Sequence, residues 1–141
     1  MLHLKALEQK SKKAIFPGSF NKFHLGHFNV LMQANVIFDE IIIFVGQNPN
    51  KPKQDFEKRI DQIKKFLNKH TKQKFTILGS DSLTTDIAKQ NNCNWIIRGL
   101  RDIADFEYER KLYNEYKKIN PKIQIMYFMA DSKYIKIRNS K

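Results

Sequence analysis

The chain has 141 residues, 41% hydrophobic and 28% charged, enough for one packed core but too few for a catalytic domain beside a separate binding domain. A single cysteine, Cys93, excludes an intrachain disulfide; no apolar run reaches the roughly 18 residues of a spanning helix, and Met1 to Lys13 lacks the apolar block of a secretory signal, so a cytoplasmic protein with no membrane partner is expected. The balance of 26 Lys and Arg against 14 Asp and Glu gives +12, a field that draws small anions, while the scatter of lysines without RNA-recognition or zinc-finger spacing reads as a solvated basic surface with no specific nucleic-acid partner.

Residues 1–12, with Leu2, Leu4 and Leu7 among lysines, read as a flexible N-terminal extension, and residues 13–141 as one domain. Lys13 to Phe16 has the content of a buried strand, and a helix is expected from about Leu25. Ile41 to Val45 is the second strand. Phe56 to Lys69 carries Ile60, Ile63, Phe66 and Leu67 on one helical stripe, and Phe75 to Leu78 follows as the third strand. Asn94 to Ile97 is the fourth strand, Ile103 to Lys118 a helix with Phe106, Leu112 and Tyr113, and Ile123 to Met129 the fifth strand. Strands alternating with helices require crossover connections, so the expected fold is a Rossmann-like, doubly wound α/β structure with a five-stranded parallel sheet and helices on both faces.

Gly18, Gly46, Gly79 and Gly99 each follow one of the first four strand runs, and Gly26 stands where the first helix begins. Ligands of open α/β sheets bind outside the carboxyl ends of the strands, where glycine lets backbone come close or take φ > 0. The alternative is that these glycines only make turns.

The stretch Pro17-Gly18-Ser19-Phe20-Asn21-Lys22-Phe23-His24-Leu25-Gly26-His27 leaves the first strand and enters the first helix. His24 and His27, three apart, fall on one face of the first turn, beside the N–H groups and positive dipole end that favour phosphate. A chance pair of surface histidines is the competing reading. Further on, Ile97-Arg98-Gly99-Leu100-Arg101 leads into Asp105-Phe106-Glu107-Tyr108-Glu109. Planar guanidinium forks at a strand end suit phosphates, although Arg98 and Arg101 could instead pair with Asp102, Asp105 or Glu107 as a surface network.

The H-x-G-H pattern resembles that of the nucleotidyltransferase superfamily. Together with the preceding P-G-S-F and the later I-R-G-L-R and D-F-E-Y-E it is similar to the bacterial phosphopantetheine adenylyltransferases, from about Lys13 to Ser140. The resemblance implies transfer of AMP from ATP to 4′-phosphopantetheine in coenzyme A synthesis, by direct attack and without a covalent enzyme intermediate. It also implies that His27 is the catalytic histidine. Ser19, Lys51, Thr84 and Arg98 would bind the acceptor. Ser19, Phe20, His24, His27, Gly99, Leu100, Arg101 and Glu109 would hold ATP, joined by Tyr134, Ile135, Lys136, Ile137, Arg138, Asn139 and Ser140. The resemblance further implies a homohexamer; Mg2+ is expected as the usual partner of the ATP phosphates, with no dedicated protein cage, and coenzyme A is a candidate feedback ligand that the sequence leaves open.

Three departures from the family pattern stand out. Asn21-Lys22 replaces Asp-Pro, Ile137-Arg138-Asn139-Ser140 replaces I-S-S-S, and the sequence ends at Lys141 where relatives continue into a further helix. Rival readings are a nicotinate-mononucleotide adenylyltransferase or glycerol-phosphate cytidylyltransferase, which share the first block and lack the second, and a non-catalytic nucleotide- or RNA-binding relative. A dehydrogenase lacks its G-x-G-x-x-G here, and a P-loop enzyme its G-x-x-x-x-G-K.

Overall fold

Runs of Ile, Val and Phe long enough to be buried on both faces form the centre of a five-stranded sheet. The computed structural model describes residues 12–47, 55–131 and 133. In chain order its elements are β1 Lys13–Gly18, α1 Leu25–Asn35, β2 Glu40–Gly46, α2 Phe56–His70, β3 Thr76–Ser80, α3 Thr84–Gln90, β4 Trp95–Leu100, α4 Ile103–Ile119 and β5 Gln124–Met129. All four pairings are parallel and the strand order is β3-β2-β1-β4-β5. The expected fold class is the one observed.

Alternation along the strands sends side chains to two separate cores. Ala14, Phe16, Ile41, Ile43, Val45 and Ile97 pack with Val30, Leu31 and Ala34 of α1 and with Ile63 and Leu67 of α2. Ile15, Ile42, Phe44 and Ile96 pack on the other face with Ile87 and Ala88 of α3 and Tyr116 of α4. Helices therefore cover both faces, as a parallel sheet requires. No helix among the described residues is long and apolar enough to cross a membrane.

Two expectations are corrected. The strands run through their glycines instead of ending before them: Gly18 and Gly46 are the last residues of β1 and β2, and Gly79 and Gly99 are the penultimate residues of β3 and β4. No glycine has a positive φ. Three of them are needed for closeness, since an added Cβ would lie 2.8 Å from the Phe20 ring at Gly18, 3.0 Å from Ile60 at Gly79 and 2.9 Å from Val30 at Gly99. The second correction concerns α4. Its face toward the sheet carries Glu109, Leu112 and Tyr116, whereas Phe106 and Tyr113 form a second, exposed stripe. Spacing of seven suited both stripes, and a buried partner for Glu109 decided between them.

β1 and β4 pair only through Ala14↔Trp95 and Ile15↔Ile96, although each strand continues well beyond. This is the point where strand order reverses, the usual ligand crevice of such sheets. Pro17, with no N–H to give to a ladder, stands two residues past the last β1–β4 pair while still in register with Phe44 of β2.

Candidate active site

The parted ends of β1 and β4 open into a cavity of about 760 Å³. Ser19, Phe20 and His27 line it from the β1 side, and Arg98, Gly99 and Arg101 from the β4 side, with Thr84 at the start of α3. Residues from three separate stretches of sequence thus meet at one rim of the sheet. Lys51 and the segment Tyr134 to Ser140 lie outside the described residues, as does the N-terminal extension apart from Lys12.

The first turn of α1 fixes both histidines. His24 is the N-cap, and its Nδ1 accepts the Gly26 N–H at 3.0 Å. His27 returns the bond, its Nδ1 accepting the His24 N–H at 3.1 Å. This is a capping box built from imidazoles in place of the usual hydroxyl and carboxamide. The rings stack with centroids 3.9 Å apart. An accepting Nδ1 must be unprotonated, so neutral His27 carries its hydrogen on Nε2. Burial lowers the His27 pKa to about 3, with His24, Arg101 and Arg98 adding to the effect. The site therefore holds a neutral N–H donor of fixed tautomer. His24 does not line the cavity; it positions its neighbour.

Phe20 follows Ser19 with φ 46°, a conformation that costs a bulky side chain about 1–2 kcal/mol. Its ring folds back over Gly18 and meets His27 edge to face at 5.2 Å, while Phe23 stacks on His27 at 5.3 Å. The imidazole is thus wedged between two aromatic rings, and the packing supports the strained backbone.

On the opposite side, Arg98 donates Nε to Glu109 Oε1 at 2.8 Å and Nη2 to Oε2 at 2.7 Å. Its Nη1 reaches across the gap to the Pro17 carbonyl at 3.2 Å, joining β1 and β4 where their ladder has ended. Burial works against the charge, but the bonds to Glu109 outweigh it and the Arg98 pKa is raised. Arg101 is anchored by its own backbone N–H, which donates to Asp105 Oδ2 at 3.0 Å. The pairing foreseen with Asp102, Asp105 or Glu107 is met for Arg98 by Glu109 instead. Glu109 is 5% exposed and Leu100 half-buried, and both border a smaller hollow with Phe106 and Tyr127 rather than the main cavity. Burial of Glu109 against Arg98 is what keeps its carboxylate from the cavity wall.

Tyr116, with its hydroxyl pKa raised by burial, lines the cavity together with half-buried Leu112 and exposed Tyr108 and Glu115. Tyr116, Glu115 and Arg59 were not singled out from sequence, and Leu112 and Tyr108 were named there only as a stripe residue and a motif residue, not for the site. Their signal was helical spacing: Tyr108, Leu112, Glu115 and Tyr116 recur at intervals of three and four on one helix. Beyond β5, the Asp131 N–H donates to Asn29 Oδ1 at 3.0 Å and Gln33 donates to the Met129 carbonyl at 2.8 Å. These bonds bring the chain after β5 beside α1, with Ala130 on the cavity wall.

A doubly wound sheet that opens at its switch point onto a neutral histidine donor and two arginines defines the chain as a nucleotidyltransferase of the α/β type. The cytidylyltransferase-like family model matches residues 15–141. The chain belongs to that family and, within it, to the phosphopantetheine adenylyltransferases. It is 44% identical to the phosphopantetheine adenylyltransferase of Mycoplasma capricolum subsp. capricolum over 85% of this chain and 86% of that one. The corresponding enzyme of Malacoplasma penetrans is 35% identical over 96% and 91%. Among solved structures, a bifunctional NMN adenylyltransferase/ADP ribose pyrophosphatase from Francisella tularensis shares the fold with a TM-score of 0.61 at 18% identity, over 94% of this chain and 43% of that one. A lipopolysaccharide core biosynthesis protein from Thermoplasma volcanium does so with a TM-score of 0.56 at 21% identity, over 86% and 98%.

Proposed function

We propose that the chain transfers the AMP moiety of ATP to the phosphate of 4′-phosphopantetheine, releasing pyrophosphate and forming dephospho-coenzyme A. The observation that carries this reading is the meeting of Ser19, His27, Arg98 and Arg101 in one cavity, in a chain whose relatives bear that enzyme's name. The likeness to nicotinate- and NMN-adenylyltransferase structures is one of fold alone, at 20% and 18% identity, and does not favour those acceptors over 4′-phosphopantetheine.

A phosphate oxygen of the acceptor attacks the α-phosphorus of ATP in line with the departing pyrophosphate. One P–O bond forms as the other breaks, and the electron pair leaves with pyrophosphate. A phosphate dianion is already nucleophilic at neutral pH, so the protein orients the reactants and stabilises charge without needing a base. His27 donates Nε2–H to an α-phosphate oxygen as negative charge grows there. Being neutral, the imidazole binds the ground state weakly and responds to the added charge of the transition state. Ser19, Phe20, Gly99 and Arg101 contact ATP; Arg98, Thr84 and Lys51 hold the acceptor phosphate. His24 and Glu109 act through His27 and Arg98, and the family resemblance adds Tyr134 to Ser140 to the residues that contact ATP.

Mg2+ belongs to this reading as an ion carried by the β- and γ-phosphates. The cavity wall offers Arg98, Arg101 and the His27 N–H beside one carboxylate among its described lining residues, Glu115, which fits an ion held by phosphate and water. When bound it would neutralise part of the triphosphate charge. The cytoplasm, where ATP is made, is the proposed location. Hexameric assembly is proposed as well, supported by Ile103 at 88% and Phe106 at 54% exposure on the outer stripe of α4. Coenzyme A is the proposed feedback ligand, since it shares the acceptor's pantetheine arm.

The test is pyrophosphate release from ATP with 4′-phosphopantetheine, nicotinate mononucleotide or glycerol 3-phosphate offered separately. Turnover is expected with the first alone. Turnover with another acceptor, or with none, overturns the assignment.

A further inference from the structure

Arg59 sits in the first turn of α2, a helix whose lysines all face solvent, yet it is only 5% exposed. The cause is its place in the stripe Arg59, Ile63 and Leu67, spaced by four, which is the buried face of the helix. Its guanidinium lies 5.0 Å over the Phe56 ring. Nη1 donates to the carbonyl of Ser19 and, at 3.2 Å, to the carbonyl of Gly46; Nε points at the Asp55 carbonyl at 3.4 Å. Nη2 is buried and has no hydrogen-bond partner among the described residues.

Ser19 and Gly46 stand just beyond and at the ends of neighbouring strands β1 and β2, and both line the cavity. One side chain therefore ties the backbone of two wall residues to each other and to the start of α2. Among the described residues no carboxylate lies within ion-pair distance of Arg59. Burial disfavours the Arg59 charge and the Asp55 carboxylate offsets this only in part, from beyond ion-pair distance, so an anion in the adjoining cavity would offset more of the cost.

We propose that Arg59 is a positioning residue of the anion site: it sets the Ser19 turn against β2 and places a buried positive charge behind the wall that receives phosphate. It touches neither substrate. Its effect reaches ATP through the fixed orientation of Ser19 and through the field. A lysine in its place has its three N–H donors on one nitrogen and lacks the rigid fork that sets Nε toward α2 and Nη1 toward both strands.

This inference rests on the adenylyl-transfer reading, and the experiment separates the two. ATP, and separately inorganic pyrophosphate, are titrated calorimetrically into the full chain and into Arg59→Lys and Arg59→Gln, with thermal melts run in parallel. The dissociation constant is expected to rise about tenfold or more in Arg59→Gln, and at least about threefold in Arg59→Lys, the scale of hydrogen bonds involving a charged group. A role confined to stability lowers the melting temperature and the bound stoichiometry while leaving the dissociation constant of the folded fraction alone. Dissociation constants within about threefold of the parent in the folded variants overturn the proposal. Should Arg59→Gln fail to fold, Arg59→Lys decides by the same threshold. A parent chain that binds no ATP overturns the adenylyl-transfer reading itself.

Discussion

The two rims of the cavity prepare for phosphate by opposite means. The β1 rim presents His27 uncharged, its tautomer set by backbone hydrogen bonds and its ring held between Phe20 and Phe23. The β4 rim presents Arg98 fully charged, its fork held by the buried carboxylate of Glu109. A neutral donor gains most when charge develops, whereas a paired cation attracts charge already present. Under the proposed reaction, the difference teaches that rate and ground-state binding fall to opposite rims of one crevice.

The sharpest way to break that division is Glu109→Ala, which leaves Arg98 buried without its carboxylate. A loss of about 3–5 kcal/mol in unfolding free energy is expected, read from the denaturant midpoint. A midpoint close to the parent's would mean that Arg98 finds another partner or reaches solvent. On the other rim, His27→Ala is expected to lower kcat by about 10² to 10³ with ATP affinity nearly kept. Steady-state kinetics paired with an ATP titration checks it; equal losses in turnover and affinity would assign His27 to binding.

Smaller effects probe the packing that brings the rims together. Gly99→Ala puts a Cβ 2.9 Å from Val30 and is expected to cost about 1–3 kcal/mol, whereas Gly46→Ala, whose Cβ would make an ordinary 3.7 Å contact with Phe44, is expected to stay within about 0.5 kcal/mol. Thermal melts of the two variants side by side test the contrast. The gentlest probe is pH. With a folded pKa of about 3, His27 binds its proton less readily than in the unfolded chain, where the value is 6.5. Its contribution to stability is therefore complete above about pH 6.5 and declines as pH falls toward 3. NMR of the imidazole signals is expected to show no His27 titration between about pH 8 and pH 5; a midpoint within that range would contradict the buried, cation-flanked environment.

The sheet was legible because runs such as Ile41 to Val45 admit few other fates, and the histidine turn because a spacing of three at a helix start fixes two side chains on one face. What escaped depends on contacts between elements. Nothing local distinguishes Glu109 from Glu107, yet one is buried against Arg98 and the other exposed. The stripe Arg59, Ile63, Leu67 was there to be read, but a cation on a basic helix is assigned to solvent until its carbonyl partners are known. Phe20 shows the same limit in the backbone: the left-handed residue near the site is an aromatic, and the glycines beside it remain in extended strand.

Arg98 is both a brace between β1 and β4, through Pro17, and a wall of the cavity. A side chain with two such duties has little freedom to diverge, because any replacement that suits a new acceptor would also unfasten the middle of the sheet. Within this scaffold, change of acceptor preference would therefore arise more readily at Thr84, Tyr108 or Leu112, which border the same space and do not bridge strands.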